Sequence, residues 1–180
     1  MTGWLDMIRN WGTTPEERRA HFPCDDVLPG YNDAYFRGVT VNAGVPVVFR
    51  WLCQLRVAPY SYDWIDNFGR QSPRQLTPGL EELVVGERVM RIFDLVAFER
   101  NRHLTLRLRR PGVFPPLAVS YAVVPTASRQ CRLLVKLVLE NQSGLAGRLA
   151  ALVLPPGDWL MMRRQLLNLK QLAEASDDRG

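Results

Sequence analysis

Residues 60–70, YSYDWIDNFGR, mix four aromatic side chains with two Asp and one Asn. A pocket for an amphipathic ligand needs aromatic walls and a few fixed polar groups. Tyr60, Tyr62, Trp64 and Phe68 supply walls. The hydroxyls of Tyr60 and Tyr62, the carboxylates of Asp63 and Asp66, and the amide of Asn67 supply polarity. The competing reading is a capped turn, short helix or bend, whose aromatics fill the core while Asp63 or Asp66 accepts from backbone N–H groups. Residues 88–99, RVMRIFDLVAFE, read as one strand with two charges among apolar residues. Asp94 alternates with Met90, Ile92, Val96 and Phe98, and Arg91 interrupts the set Val89, Phe93 and Leu95. A charge on a face turned toward a cavity anchors a ligand, and desolvation of Asp94 would raise its pKa toward the range useful for proton transfer. A bulge that turns it outward, or a structural ion pair, is the alternative. Met162 and Leu166, on a later helical face, offer adaptable apolar walls or plain core.

Several chemistries lack their residues. The chain contains no GxGxxG, no GxxxxGK[ST], no GxSxG and no HExxH, so no nucleotide cofactor is expected. Histidine occurs twice, at His21 and His103. His21, Cys24, Asp25 and Asp26 are crowded on one irregular stretch, a poor frame for a closed metal site, and no metal is expected. No acid–base pair stands at a spacing that the chemistry demands, so catalytic residues stay unassigned.

The elements that must position these groups follow from periodicity. In 158–175, Trp159, Met162, Leu166, Leu169 and Ala173 recur at steps of three and four, one face of an α-helix. Asp158 is placed to cap it, and Pro155-Pro156-Gly157 to end a short helix over 145–154. Residues 35–43 read as a strand and 46–55 as a helix with Pro46 in its first turn. From 83 to 141 strand follows strand. Leu104, Leu106 and Leu108 alternate with polar residues, and Leu133, Val135, Leu137 and Leu139 point inward while Arg132, Lys136 and Glu140 point outward. Residues 117–124 form a strand ended by Pro125. Short connections imply an antiparallel meander. The fold class is α+β, a curved antiparallel sheet wrapped around a long C-terminal helix. An arm, residues 1–34, precedes a domain over 35–176; in the arm Thr14 and Pro15 mark a helix start. Trp4, Trp11 and Phe22 predict that the arm packs on the domain.

The 180 residues are 47% hydrophobic and 23% charged, an ordinary globular composition. Three cysteines without tight spacing suit a reducing compartment, and no signal peptide is read at the start, so a cytoplasmic location is expected. No apolar run is long enough for stable membrane insertion. The net charge is +5, and all basic residues but Lys136 and Lys170 are Arg. They form no block in the sequence, which predicts no nucleic-acid partner. Oligomeric state is not readable.

This order of elements resembles the START-like superfamily, also called SRPBCC, which includes polyketide cyclases, pollen-allergen proteins and lipid-transfer domains. The resemblance is carried by Trp11-Gly12, by Pro23 to Asp26, by the strand and helix over 39–54, by Tyr60-Ser61-Tyr62-Asp63-Trp64, and by Trp159 to Leu169. It implies a cavity between the sheet and the C-terminal helix that takes a hydrophobic or amphipathic small molecule, lipid- or polyketide-like. The alternative is a cyclase or dehydratase that moves protons in the same cavity. The mouth is expected at 60–67. Room inside depends on the 117–124 strand. With Ala118, Ser120 and Ala122 inward there is space; with Val119 and Tyr121 inward that space is filled.

Overall fold

The computed structural model describes residues 2–62, 64, 69, 71–110, 114–140 and 145–178, and the side chains of all of these except 2, 5 and 145–154. Three short helices open the chain: α1 (Thr2–Arg9), α2 (Pro15–Arg19) and α3 (Pro23–Val27). Then come β1 (Asp33–Val41), α4 (Val45–Cys53) and a 3-10 turn, Gln54–Arg56. Five further strands follow, β2 (Arg88–Val89), β3 (Phe93–Glu99), β4 (His103–Leu108), β5 (Leu117–Ala127) and β6 (Gln130–Leu139), and last α5 (Leu145–Asp177). The six strands form one antiparallel sheet in the order β1-β6-β5-β4-β3-β2. This is an α+β helix-grip architecture, with α4 and α5 on one face of the sheet.

Strand alternation decides which side chains meet α5. Val39 and Val41 of β1, Leu104 and Leu106 of β4, Val119, Tyr121 and Val123 of β5, and Leu133 and Val135 of β6 join Leu166, Leu169 and Ala173 in the main core. Of the inward set read for β6, Leu133 and Val135 lie in this core and Leu137 packs against it. For β5 the filled alternative holds: Tyr121, not Ser120, faces the helix. Ala118 lies instead in a second core on the opposite face, with Phe22, Cys24, Leu28, Leu134 and Val138. That face is not wet, because α3 covers it. Lys136, expected outward in water, is only 5% exposed and pairs with Asp25 at 2.6 Å. The neighbouring carboxylate and the Tyr31 hydroxyl raise its pKa although burial alone would lower it.

Three local readings change. The strand expected over 88–99 is a hairpin. Val89 pairs with Phe93, and the chain reverses through Met90 and Arg91, both left-handed with φ of 46° and 65°. Two consecutive non-Gly residues there are sterically unfavourable, and the period-2 pattern gave no sign of them. The alternation proposed across Met90 to Phe98 is therefore broken, and Ile92 is 49% exposed. Strand β5 runs past Pro125, where the register with β6 shifts before Ala127. Finally, α5 is one helix of 33 residues that contains Pro155 and Pro156, not two helices separated by them.

The arm is fastened by hydrogen bonds. Thr14 and Glu17 form a capping box at α2. Arg132 of β6 reaches Glu17 at 2.7 and 3.0 Å, the Thr40 hydroxyl at 3.0 Å and the Gly12 carbonyl at 2.6 Å. Gly12 (φ +71°) lies so close to β1 that a Cβ there would sit 2.1 Å from the Gly38 carbonyl oxygen.

Candidate functional site

Inside the grip, the helix face that meets the sheet is not wholly apolar. Asp158, Met162, Gln165 and Leu169 follow at helical spacing along α5. Strand β1 sets Arg37 between Tyr35 and Val39 on its inner face, and β5 supplies Tyr121. The Arg37 guanidinium is 1% exposed and donates to Asp158 Oδ2 at 2.6 Å and to the carbonyls of Arg9 and Phe36 at 2.7 and 2.8 Å. The Tyr121 hydroxyl donates to Gln165 Oε1 at 2.8 Å and lies 3.8 Å from the Met162 sulfur. The Gln165 amide donates to the Pro59 carbonyl at 2.6 Å and lies 3.5 Å from the Met90 sulfur. Asn168, on the next turn, donates to the Tyr60 carbonyl at 2.8 Å.

Burial sets the electrostatics. It pushes the Asp158 carboxyl up from 3.8 to about 6, with Arg37 pulling it back down. It pushes the Tyr121 phenol well above its usual range, helped by the Asp158 charge, while the Gln165 hydrogen bond works the other way. It depresses the Arg37 guanidinium, and Asp158 partly restores it. Beside this row lies an aromatic and charged rim. The guanidinium carbons of Arg9 and Arg37 stand 5.3 and 5.7 Å from the Tyr35 ring centre, Arg9 is ion-paired with Asp33, and Trp4 meets Trp159 at 6.4 Å. Two enclosed donors, Arg37 Nε and Trp159 Nε1, have no hydrogen-bond partner among the described residues. Buried donors are rarely left so, because each carries an uncompensated desolvation cost.

The structure places some of the sequence-derived candidates on this row and some elsewhere. Met162 belongs to it, and Leu166 is fully buried beside it. Tyr60 is buried with φ 56°, edge-on to Trp51 at 6.0 Å. Tyr62 lies under the Arg164 guanidinium at 5.9 Å. Trp64 is 75% exposed and so is no interior wall. Asp63, Asp66 and Asn67 lie outside the described residues. Arg91 and Asp94 sit on the β2–β3 hairpin; Asp94 is half-buried and 3.8 Å from Arg109. The face that was to turn them toward the helix does not exist as a continuous strand face. Of the residues first weighed as a metal cluster, Cys24 is buried under β5 and β6, where its thiol lies 3.5 Å from the Lys136 carbonyl, and burial pushes that thiol up to about 11. Asp25 is tied to Lys136, and His21 meets Asp26 at 3.1 Å at the surface.

Sequence reasoning missed Arg37, Tyr121, Asp158 and Gln165. The signal was present for two of them: Asp158 stands one helical turn before Met162 on the apolar stripe, and Arg37 breaks the odd-numbered set Tyr35, Val39 and Val41. Assigning Asp158 to a cap hid it.

No protein-family model matches this chain, and no curated protein does. Solved structures do. A protein of Thermobifida fusca known from a solution structure aligns with a TM-score of 0.52 at 15% identity, over 79% of this chain and 93% of that one. DynU16, from the dynemicin biosynthetic locus, aligns with a TM-score of 0.50 at 21% identity, over 81% of this chain and 49% of that one. A START superfamily protein of Mycobacterium smegmatis aligns at 0.45 and 15% identity, over 82% and 99%. At such identities the likeness concerns the fold alone, the helix-grip architecture described above.

Proposed function

We propose that the protein binds a hydrophobic or amphipathic small molecule, lipid- or polyketide-like, between α5 and the sheet. The observation that carries this reading is the polar row inside an otherwise apolar grip, with the buried donors Arg37 Nε and Trp159 Nε1 lacking acceptors among the described residues. An apolar body with a carboxylate or carbonyl head supplies what the row lacks. The head accepts from these donors, and the body replaces side-chain contacts along Met162 and Leu166. Because Tyr121 and Leu166 fill the middle of the grip, entry requires the segment at Pro59–Tyr60 to move off Gln165 and Asn168, with Tyr62 at the mouth. The START-like fold supports the reading, and DynU16 comes from a biosynthetic locus.

Native mass spectrometry of freshly purified protein tests it first. A retained small-molecule mass is expected. Titration with oleate, followed by tryptophan fluorescence, should saturate, and Arg37→Gln should weaken it about tenfold or more, as loss of a charge-assisted hydrogen bond does. Tyr62→Phe, remote from the buried pair, should weaken it less and keep the fold. Apo mass alone, with no saturable uptake of oleate or of an anilinonaphthalene sulfonate dye, would overturn the proposal.

One observation favours a second reading, a cyclase- or dehydratase-like enzyme. The Asp158 carboxyl, at about 6, is poised to exchange a proton near neutral pH. In that reading Asp158 moves the proton and Arg37 holds a developing oxyanion. Turnover of a poly-β-ketone probe that Asp158→Asn abolishes while binding persists separates it from simple carriage.

A further inference from the structure

The arginines that are scattered in the sequence do not stay scattered. Arg88, Arg91, Arg109 and Arg110 line one open depression of about 510 Å³ together with Ile92, Leu108 and Phe114. Register explains the meeting. Arg88 lies opposite Asp94 across β2 and β3, and Phe93 lies opposite Leu108 across β3 and β4, so the start of β2 and the end of β4 flank the same residues. The Arg109 amide donates to the Ile92 carbonyl at 3.0 Å, which ties the chain after β4 to the hairpin tip. All four arginines are exposed. Asp94 lies 3.8 Å from Arg109. Between them stand half-exposed apolar side chains, Ile92 at 49% and Phe114 at 45%. Strand β2 ends the sheet, and among the described residues no further strand pairs with its outer edge.

We propose that this depression docks the protein on an anionic bilayer surface, with the arginines on the phosphate and carboxylate headgroups and with Ile92 and Phe114 in the headgroup–acyl boundary. Opposite charge supplies the attraction, and long Arg stems let the guanidinium groups reach headgroups while the apolar residues go deeper. A free phosphate uses the arginines but leaves Ile92 and Phe114 idle. Single-stranded nucleic acid needs a run of aromatic rings for its bases, and this depression offers a single ring, Phe114. The surface lies on the β2 edge, shares no residue with the Asp158–Gln165 row, and stands independently of the ligand proposed there.

The test is co-sedimentation of the full chain with vesicles. Binding is expected to phosphatidylcholine vesicles that contain phosphatidylserine, not to phosphatidylcholine alone, and it should weaken as salt screens the charges. The double change Arg109→Glu with Arg110→Glu should lower partitioning about tenfold or more, at roughly fivefold per arginine removed. Ile92→Ser should lower it a few-fold, by the loss of roughly one buried aliphatic group. Arg18→Glu with Arg19→Glu on α2 alters net charge equally and should change partitioning by less than about twofold. Equal loss in both double variants would reduce the effect to net charge and overturn the proposal. No binding to the anionic vesicles would also overturn it. So would displacement by inorganic phosphate at matched ionic strength, which marks a free-anion site, or tighter binding of single-stranded RNA than of vesicles.

Discussion

At Asp158, burial and an arginine pull the carboxyl in opposite directions, and burial wins. Its folded value of about 6 lies above the ordinary 3.8, so the folded state holds the proton more tightly. The stability that this proton contributes is full below about 4 and is lost as pH rises through about 6. Glu17 and Asp177, held low by Arg132 and Arg129, behave oppositely and lose their contribution as pH falls. Carbon NMR of the Asp158 carboxyl should therefore titrate near 6, and Arg37→Gln should move that midpoint higher; a midpoint near 4 in the intact protein defeats the assignment. Tyr121 and Gln165 make a second residue-scale test. Tyr121→Phe strands a buried acceptor and should cost about 1–3 kcal/mol. Adding Gln165→Leu removes that acceptor, so chemical denaturation of the pair should show less than the sum of the single costs.

At the scale of elements, α5 carries both the core and the polar row. Leu166→Ala opens a hole in the main core and should cost about 2–5 kcal/mol in urea unfolding. Pro156 is exposed within the helix and gives no N–H to it. Pro156→Ala restores a donor and should raise stability by roughly 1 kcal/mol or more; a fall would mean that a break at this point is needed to bring Asp158 onto Arg37. The two-proline signal misled the reading of the helix because it reports a local cost, not whether the rest of the helix can carry it. The hairpin shows the same limit from the other side. Met90 donates its amide to the Leu55 carbonyl at 3.1 Å, a contact 35 positions away in sequence that period-2 alternation cannot contain.

The whole molecule covers both faces of the sheet, α4 and α5 on one and the α3 part of the arm on the other. Removal of residues 1–30 strips Phe22, Cys24 and Leu28 from Ala118, Leu134 and Val138. Thermal unfolding of the truncated chain should come several degrees lower, at about 2–4 °C per kcal/mol for a chain this long; an unchanged melt would make the arm a passenger. Gly12→Ala tests the same joint by a single atom, since nothing at Gly38 can yield except backbone. Among the described residues no helix is long and apolar enough to cross a membrane.

By itself the sequence determined the architecture. The stripe on α5, the Leu133–Leu139 alternation, the Thr14-Pro15 start and the helix after Pro46 are local patterns, and local patterns need no knowledge of neighbours. Site placement was less legible. Met162 and Leu166 were singled out because they lie on the stripe, and Tyr60 and Tyr62 because aromatics crowd there. Arg37 and Asp158 read as an interruption and a cap, since they are 121 positions apart and acquire meaning only when β1 lies against α5. The same holds for Arg88, Arg91, Arg109 and Arg110, which become one surface only through strand register. Which face of β5 looks inward, and so whether Tyr121 or the small residues meet the helix, could not be read from a strand apolar on both sides. The packing of helices on both sides settles it: Val119, Tyr121 and Val123 are buried in the core with α5, and Ala118 is buried with α3 on the second face.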